Sequence, residues 1–118
     1  MSYSITLTDS VFQMTAENAR KAKKTLKEEM PVYQHFNTFS EIMSELIWPV
    51  EMDEDENVVG IQFEGECLYE EEKIFSLLAP FVEPGSFLQI LGERGSMWRW
   101  VFDGETCTRQ NPTITWPG

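Results

Sequence analysis

An α+β fold is predicted, with three helices packed on an antiparallel sheet in the order ββα-α-ββα-βββ. Three observations lead to it. Short runs with period-two alternation recur near both ends of the chain and in its middle. Runs at helical spacing stand between them, two of them behind N-cap residues, Thr15 and Thr38. Turn signals join strands that are neighbours in sequence, and strands joined so tightly pair antiparallel. The whole chain, residues 1–118, is expected to form a single α+β domain, long enough to bury one core.

Tyr3, Ile5 and Leu7 alternate with Ser4, Thr6 and Thr8, as in a half-buried strand. Asp9-Ser10 reads as a tight turn or kink, and Val11 to Met14 as a second short strand. Thr15 is the N-cap of a helix from Ala16 to Glu29, with a thin apolar stripe of Ala19, Ala22 and Leu26 that suits close approach to a sheet. Pro31 stops it. Thr38 followed by Glu41 forms a capping box for a second helix, Phe39 to Ile47. Phe39, Ile42, Met43, Leu46 and Ile47 match the i, i+3, i+4, i+7, i+8 template, so Ile42, Leu46 and Ile47 are expected in the core. A hairpin follows: Val50 and Met52, a turn over Glu54 to Asn57, then Val59, Ile61 and Phe63 in alternation. A third helix, Glu70 to Ala79, buries Ile74, Phe75 and Leu78 and ends at Pro80. Ser86–Leu91, Met97–Phe102 and a last strand over Thr106–Gln110 and Thr113–Trp116, interrupted at Asn111-Pro112, make a meander. Asp103-Gly104 is a two-residue hairpin signal within it.

Charge is unevenly distributed. Fourteen acids and no Lys or Arg lie from Glu28 to Glu72, whereas five of the nine basic residues fall within Arg20 to Lys27. A formal charge of −11 repels nucleic acid and anionic membranes and favours a basic partner. An apolar content of 42% with 13% aromatic residues excludes wholesale disorder. No apolar run approaches the ~20 residues of a membrane span. The start has no basic segment followed by an apolar one, so no signal peptide is expected. Cys67 and Cys107 match no metal or redox spacing and are expected to be free thiols in a bacterial cytoplasm.

Several segments resemble one family. They are Tyr3-Ser4-Ile5-Thr6-Leu7-Thr8-Asp9-Ser10, then Val59-Gly60-Ile61-Gln62-Phe63-Glu64-Gly65-Glu66, and then Leu78-Ala79-Pro80-Phe81-Val82-Glu83-Pro84-Gly85-Ser86. The last continues into Gly92-Glu93-Arg94-Gly95 and Trp98-Arg99-Trp100-Val101-Phe102-Asp103-Gly104. Together they resemble small acidic proteins of phages and mobile elements of gut-type bacteria. The resemblance covers most of the chain and is weakest from Met30 to Phe39. It implies no activity and no functional residue. It does imply a genomic setting in which small inhibitors of bacterial defences are common.

The residue constellations point away from catalysis. Asp53, Asp55, Asn57 and Glu64 hold positions 1, 3, 5 and 12 of a calcium loop, but Val58 stands where the sharp turn needs glycine, so no metal site is expected. His35 has no cysteine near it and only distant acids, and no serine sits in a nucleophile elbow. Gly92-Glu93-Arg94-Gly95 joins two strands and opens no helix, so it is not a phosphate loop. No cofactor is expected. Arg20, Lys21, Lys23, Lys24 and Lys27 resemble a phosphate-binding stripe, yet no aromatic is interleaved with them, and a solvated helix face explains them.

The expected function is that of a non-catalytic acidic inhibitor that occupies the basic, nucleic-acid-binding surface of a protein such as a defence nuclease, in the manner of an anti-CRISPR. Glu51, Asp53, Glu54, Asp55 and Glu56 form one expected contact cluster; Glu64, Glu66, Glu70, Glu71 and Glu72 form the other. A strand over Val58 to Phe63 would separate them by roughly 20 Å. Trp98, Trp100 and Trp116 are the alternative contact residues, because tryptophan is enriched at interface hot spots. An immunity or antitoxin protein acting on a basic toxin, and a phage accessory structural protein, stand as alternatives.

Overall fold

A computed structural model describes residues 4–63, 71–113 and 116–117. It is α+β, with the elements β1 (Ile5–Val11), α1 (Ala16–Glu29), α2 (Phe39–Glu45), β2 (Val50–Met52), β3 (Val58–Ile61), α3 (Glu71–Leu78), β4 (Phe87–Gly92), β5 (Met97–Phe102) and β6 (Cys107–Gln110). Short 3-10 turns follow α1 and α3, at Pro31–Tyr33 and Ala79–Phe81. Four strands form one antiparallel sheet in the order β1-β4-β5-β6, and β2 and β3 form a separate hairpin. All three helices and this hairpin are therefore inserted between two strands that are hydrogen-bonded neighbours, β1 and β4.

β1 absorbs the expected turn. Asp9-Ser10 is a bulge, where the register against β4 shifts between Leu7 and Asp9, and the strand continues to Val11. Ser10 and Leu7 thereby pair with Leu88 and Ile90. The extended stretch beyond β1 survives as one bridge, in which Met14 exchanges both backbone hydrogen bonds with Val58 at 3.1 and 2.8 Å.

α1 has the expected bounds. The Thr15 hydroxyl accepts the Asn18 N–H at 3.1 Å, which satisfies one of the first-turn donors. Ala19, Ala22 and Leu26 are buried, and α1 lies beside α2, α3 and the 79–81 turn. α2 is shorter than expected. Thr38 caps it, accepting from the Glu41 N–H at 3.1 Å, and its hydroxyl donates to the Glu41 carboxylate at 3.0 Å. The helix ends at Glu45, with Leu46 as C-cap and Ile47 at φ 63°. The Trp48 N–H reaches the Met43 carbonyl at 2.9 Å, and the Ile47 N–H the Ser44 carbonyl at 3.1 Å. This is a Schellman motif with a β-branched residue where glycine is usual. Ile42 and Leu46 are buried as expected, whereas Ile47 is only half-buried.

The covered face of the sheet carries Leu88, Ile90, Trp98, Trp100 and Phe102. α3 lies on it through Phe75, which is fully buried. The Phe75 ring is 5.1 Å from Trp48, 5.8 Å from Trp100 and 6.1 Å from Phe102, centroid to centroid. Trp98 and Trp100 are thus core residues, 7% and 5% exposed, and are not available to a partner. The alternation of β5 dictates this: Met97, Arg99 and Val101 take the open face. There a polar ladder crosses the strands, with Arg99 Nε donating to Gln89 Oε1 at 2.9 Å and Gln89 Nε2 to Thr8 Oγ1 at 3.1 Å. Trp116 is 85% exposed. Among the described residues no helix is long and apolar enough to cross a membrane.

Candidate functional site

The β2–β3 hairpin projects five acids into solvent: Glu51, Asp53, Glu54, Asp55 and Glu56 are all exposed. None of them is in an ion pair among the described residues. They are not equivalent, because the local fold employs two of them.

Asp53 closes the turn. Its Oδ1 accepts the backbone N–H groups of Asp55 and Asn57, each at 2.9 Å, and its Oδ2 accepts from Asn57 Nδ2 at 3.2 Å. The Asn57 N–H, with the other two donors, holds the Asp53 carboxyl below the usual range. Asn57 Oδ1 in turn accepts the Ala16 N–H at 2.9 Å, which ties the turn to the start of α1. Both oxygens of Asp53, at the first position of the calcium-like pattern, thus accept hydrogen bonds that close the turn. Among the described residues no group of three His, Cys, Asp or Glu side chains is placed to hold a metal ion. Glu51 lies back along the hairpin. Its carboxylate accepts from Gln62 Nε2 and covers Gly60, where an added Cβ would come within 2.7 Å of Glu51 Oε2.

Glu54, Asp55 and Glu56 form the three-residue tip. The Glu56 N–H donates to the Asp53 carbonyl at 3.1 Å, and the Asp53 N–H to the Asn57 carbonyl at 2.9 Å. This loop needs a left-handed residue at its third position, normally glycine. Glu56 fills it at φ 66°. A non-glycine residue there is strained by about 1–2 kcal/mol. Glu56→Gly is therefore expected to raise stability by about 1 kcal/mol in chemical denaturation, and a loss of stability would contradict the strain.

The second expected cluster is not assembled as expected. Glu64, Glu66 and Glu70 lie outside the described residues. Glu71 is buried at 7% exposure, so it offers no charge to a partner. The cause is helical spacing: Glu71, Ile74, Phe75 and Leu78 form one i, i+3, i+4, i+7 stripe, and all four are buried. Glu72 faces solvent. β3 is also shorter than the expected strand, and at about 3.4 Å per step it spans about 10 Å where Val58 to Phe63 would span about 17 Å. Its burial pattern departs from simple alternation. A bulge between Glu51 and Met52 places Val58 and Ile61 in the core and leaves Val59 48% exposed.

Cys67 lies outside the described residues, and among those described the nucleophile candidates form no catalytic grouping. His35 is exposed and stacks on Phe36, 4.6 Å between ring centroids. Burial pushes the Cys107 thiol up to about 12, with the carboxylates of Asp103 and Glu72 adding to the shift. Cys107 is therefore a weak nucleophile at neutral pH. The folded state favours the protonated thiol. Its contribution to stability is complete below the ordinary thiol value and is lost as pH rises from about 9 towards 12. In a Cys67→Ser chain at pH 8, an aromatic disulfide reagent is expected to modify Cys107 at least ~10-fold more slowly than in the denatured chain. Equal rates in the two states would refute the shift. Asp103 has a structural task like that of Asp53. It accepts the N–H groups of Thr106 and Glu105 at 2.7 and 2.9 Å and the Thr106 hydroxyl at 2.9 Å, so the turn centres on Gly104-Glu105.

Basic residues line the neighbouring surface. Arg20, Lys23, Lys24 and Lys27 lie along one side of α1 in a groove of about 450 Å³, whose lining Glu28 and Gln34 complete, so it carries four cations and one acid. Lys23 and Lys27 donate to the carbonyls of Asn37 and Phe36 at 3.3 and 2.9 Å, which holds the following loop against the helix. Comparison with protein-family models, curated proteins and solved structures finds no match to this chain.

Proposed function

We propose that this chain is a non-catalytic binding protein whose acidic hairpin tip docks on the basic, nucleic-acid-binding surface of a partner protein. In its most concrete form it is an anti-defence inhibitor of the anti-CRISPR kind, carried by a phage or mobile element and acting in the bacterial cytoplasm. That form rests on the sequence resemblance. The observation that supports docking at the tip is Glu56. An acid occupies a left-handed position where glycine is the stable choice, next to Glu54 and Asp55, with no cation paired to any of the three among the described residues. Strain kept at an exposed charged turn is a reason to assign that turn a role. An immunity protein against a basic toxin would use the same surface, and the identity of the captured partner separates the two.

The test is affinity capture from the host, with the wild-type chain beside a Glu54→Gln, Asp55→Asn, Glu56→Gln chain. A basic protein is expected on the wild-type chain at about 0.1 M salt, released near 0.5 M as screening tightens, and absent from the variant. Equal retention by both chains would defeat the reading.

A further inference from the structure

The four cations at positions 20, 23, 24 and 27 recur at i, i+3, i+4 and i+7, so they share one side of α1 and repel one another along it. None is in an ion pair among the described residues, in a chain with twenty acids. Lys21, which lies off this line, is the lysine that pairs, with Glu17 at 3.4 Å. The basic groove runs into a second cavity of about 250 Å³ at the N-terminal end of α1, lined by Arg20, Lys23, Phe39, Met52 and Glu56. The acidic tip and the basic stripe are thus adjacent on one edge of the molecule, with Met52, 38% exposed, at their junction.

We propose that this edge is self-complementary: the chain pairs with a second copy of itself, and each hairpin tip lies in the other's basic groove. Two adjacent patches of opposite sign meet their complements when the molecule is rotated by 180° about their junction, which is the geometry of an isologous dimer. Arg20 and Lys23 share a cavity with Glu56 without pairing to it, so the charges remain available across such an axis. A long polyanion fits this edge less well. It would continue past the groove into the acidic hairpin and the field of a −11 chain, whereas a second copy presents three acids on one short loop. The contact is small and of the transient kind, with an expected dissociation constant on the order of 10 μM. Self-pairing covers the tip, so a basic partner would have to displace the second copy. The inference rests on the hairpin and groove geometry and not on that partner, so its failure leaves the partner reading untouched.

The test uses the purified chain alone, by sedimentation velocity near 0.1 M salt, where charges more than about 10 Å apart are screened. One variant reverses the helix, Arg20→Glu with Lys24→Glu. The other reverses the hairpin, Glu54→Lys with Asp55→Lys. Each is expected to weaken self-association at least ~10-fold, because both junctions then oppose like charges. An equimolar mixture of the two is expected to restore a 1:1 dimer, since every junction is again of opposite sign. The two reversals change net charge equally in opposite directions, so the mixed pair carries the same total charge as a wild-type pair. The hairpin reversal also makes the chain less negative, and improved self-association of that variant would show bulk repulsion in control and overturn the proposal. A wild-type chain that stays monomeric at about 200 μM, twentyfold above the expected constant, would overturn it too. So would a mixture that stays monomeric while both variants keep the wild-type circular dichroism. Capture of a labelled single-stranded oligonucleotide by the monomer, lost on helix reversal, would assign the stripe to nucleic acid instead.

Discussion

Phe75→Ala is expected to remove about 3–5 kcal/mol of stability, a large part of the ~5–15 kcal/mol that holds a domain of this size. Phe75 is fully buried, and three aromatic rings from two parts of the chain converge on it: Trp48 after α2, and Trp100 and Phe102 on β5. Its ring is the contact through which α3 rests on the sheet. Truncation leaves a cavity that rigid tryptophan rings fill poorly, so the cost lies above simple transfer of the lost carbons. Phe75→Leu keeps most of the volume and is expected to cost about half as much or less. Val32→Ala, at a side chain 68% exposed, is the control and is expected to stay within about 0.5 kcal/mol. Chemical denaturation checks all three. A Phe75→Ala loss under about 1 kcal/mol would mean that α3 is not anchored there.

The largest functional effect is expected at the tip. With the partner in hand, neutralising Glu54, Asp55 and Glu56 together should slow association by about 10- to 100-fold at low ionic strength, with the difference shrinking as salt rises. Dissociation should change less, because long-range attraction between exposed charges acts chiefly through the encounter. Stability should be little altered, since unpaired exposed charges contribute little to it. Asp53 belongs in a separate experiment. Asp53→Asn replaces a carboxylate that organises the turn through three hydrogen bonds, so lost binding in that variant reports a misplaced loop as well as a missing charge. Unchanged association kinetics in the triple variant would move attention to Trp116, the tryptophan 85% exposed.

Local signals carried much of this architecture. Thr15 before Ala16 and Pro31 after Glu29 mark α1 to the residue, because caps and proline act on the nearest turn. The period of Met97–Phe102 sorted β5 into a covered and an open face in the same way. What local pattern did not reveal depends on partners distant in sequence. Val58 pairs with Met14 and Met52 at once, and Val59, skipped by the register shift beside it, changes the inward side of β3. Ile47 adopts a left-handed conformation that its β-branched side chain disfavours, stabilised by packing against the core. Two features of the site were nevertheless available. Counting back from Ile74, Phe75 and Leu78 by helical steps reaches Glu71, which places that acid inside. Asp53 at the head of the turn can form an Asx turn with the Asp55 N–H two residues on, which separates the structural acid from the rest of the tip. The adjacency of the basic stripe and the hairpin tip had no sequence signal, because it arises from the packing of α1 beside β2 and β3.

The bond from the Ala16 N–H to Asn57 Oδ1 also makes the hairpin legible at a distance. An amide at the first turn of a helix has no intrahelical acceptor, so its exchange with solvent deuterium is set by whatever caps it. Here the cap belongs to a turn 41 residues further along the chain. Opening of the hairpin releases that amide, and an occupant that holds the tip closed slows its exchange. The Ala16 amide is thus a native probe of the tip, able to register its closure through one hydrogen bond.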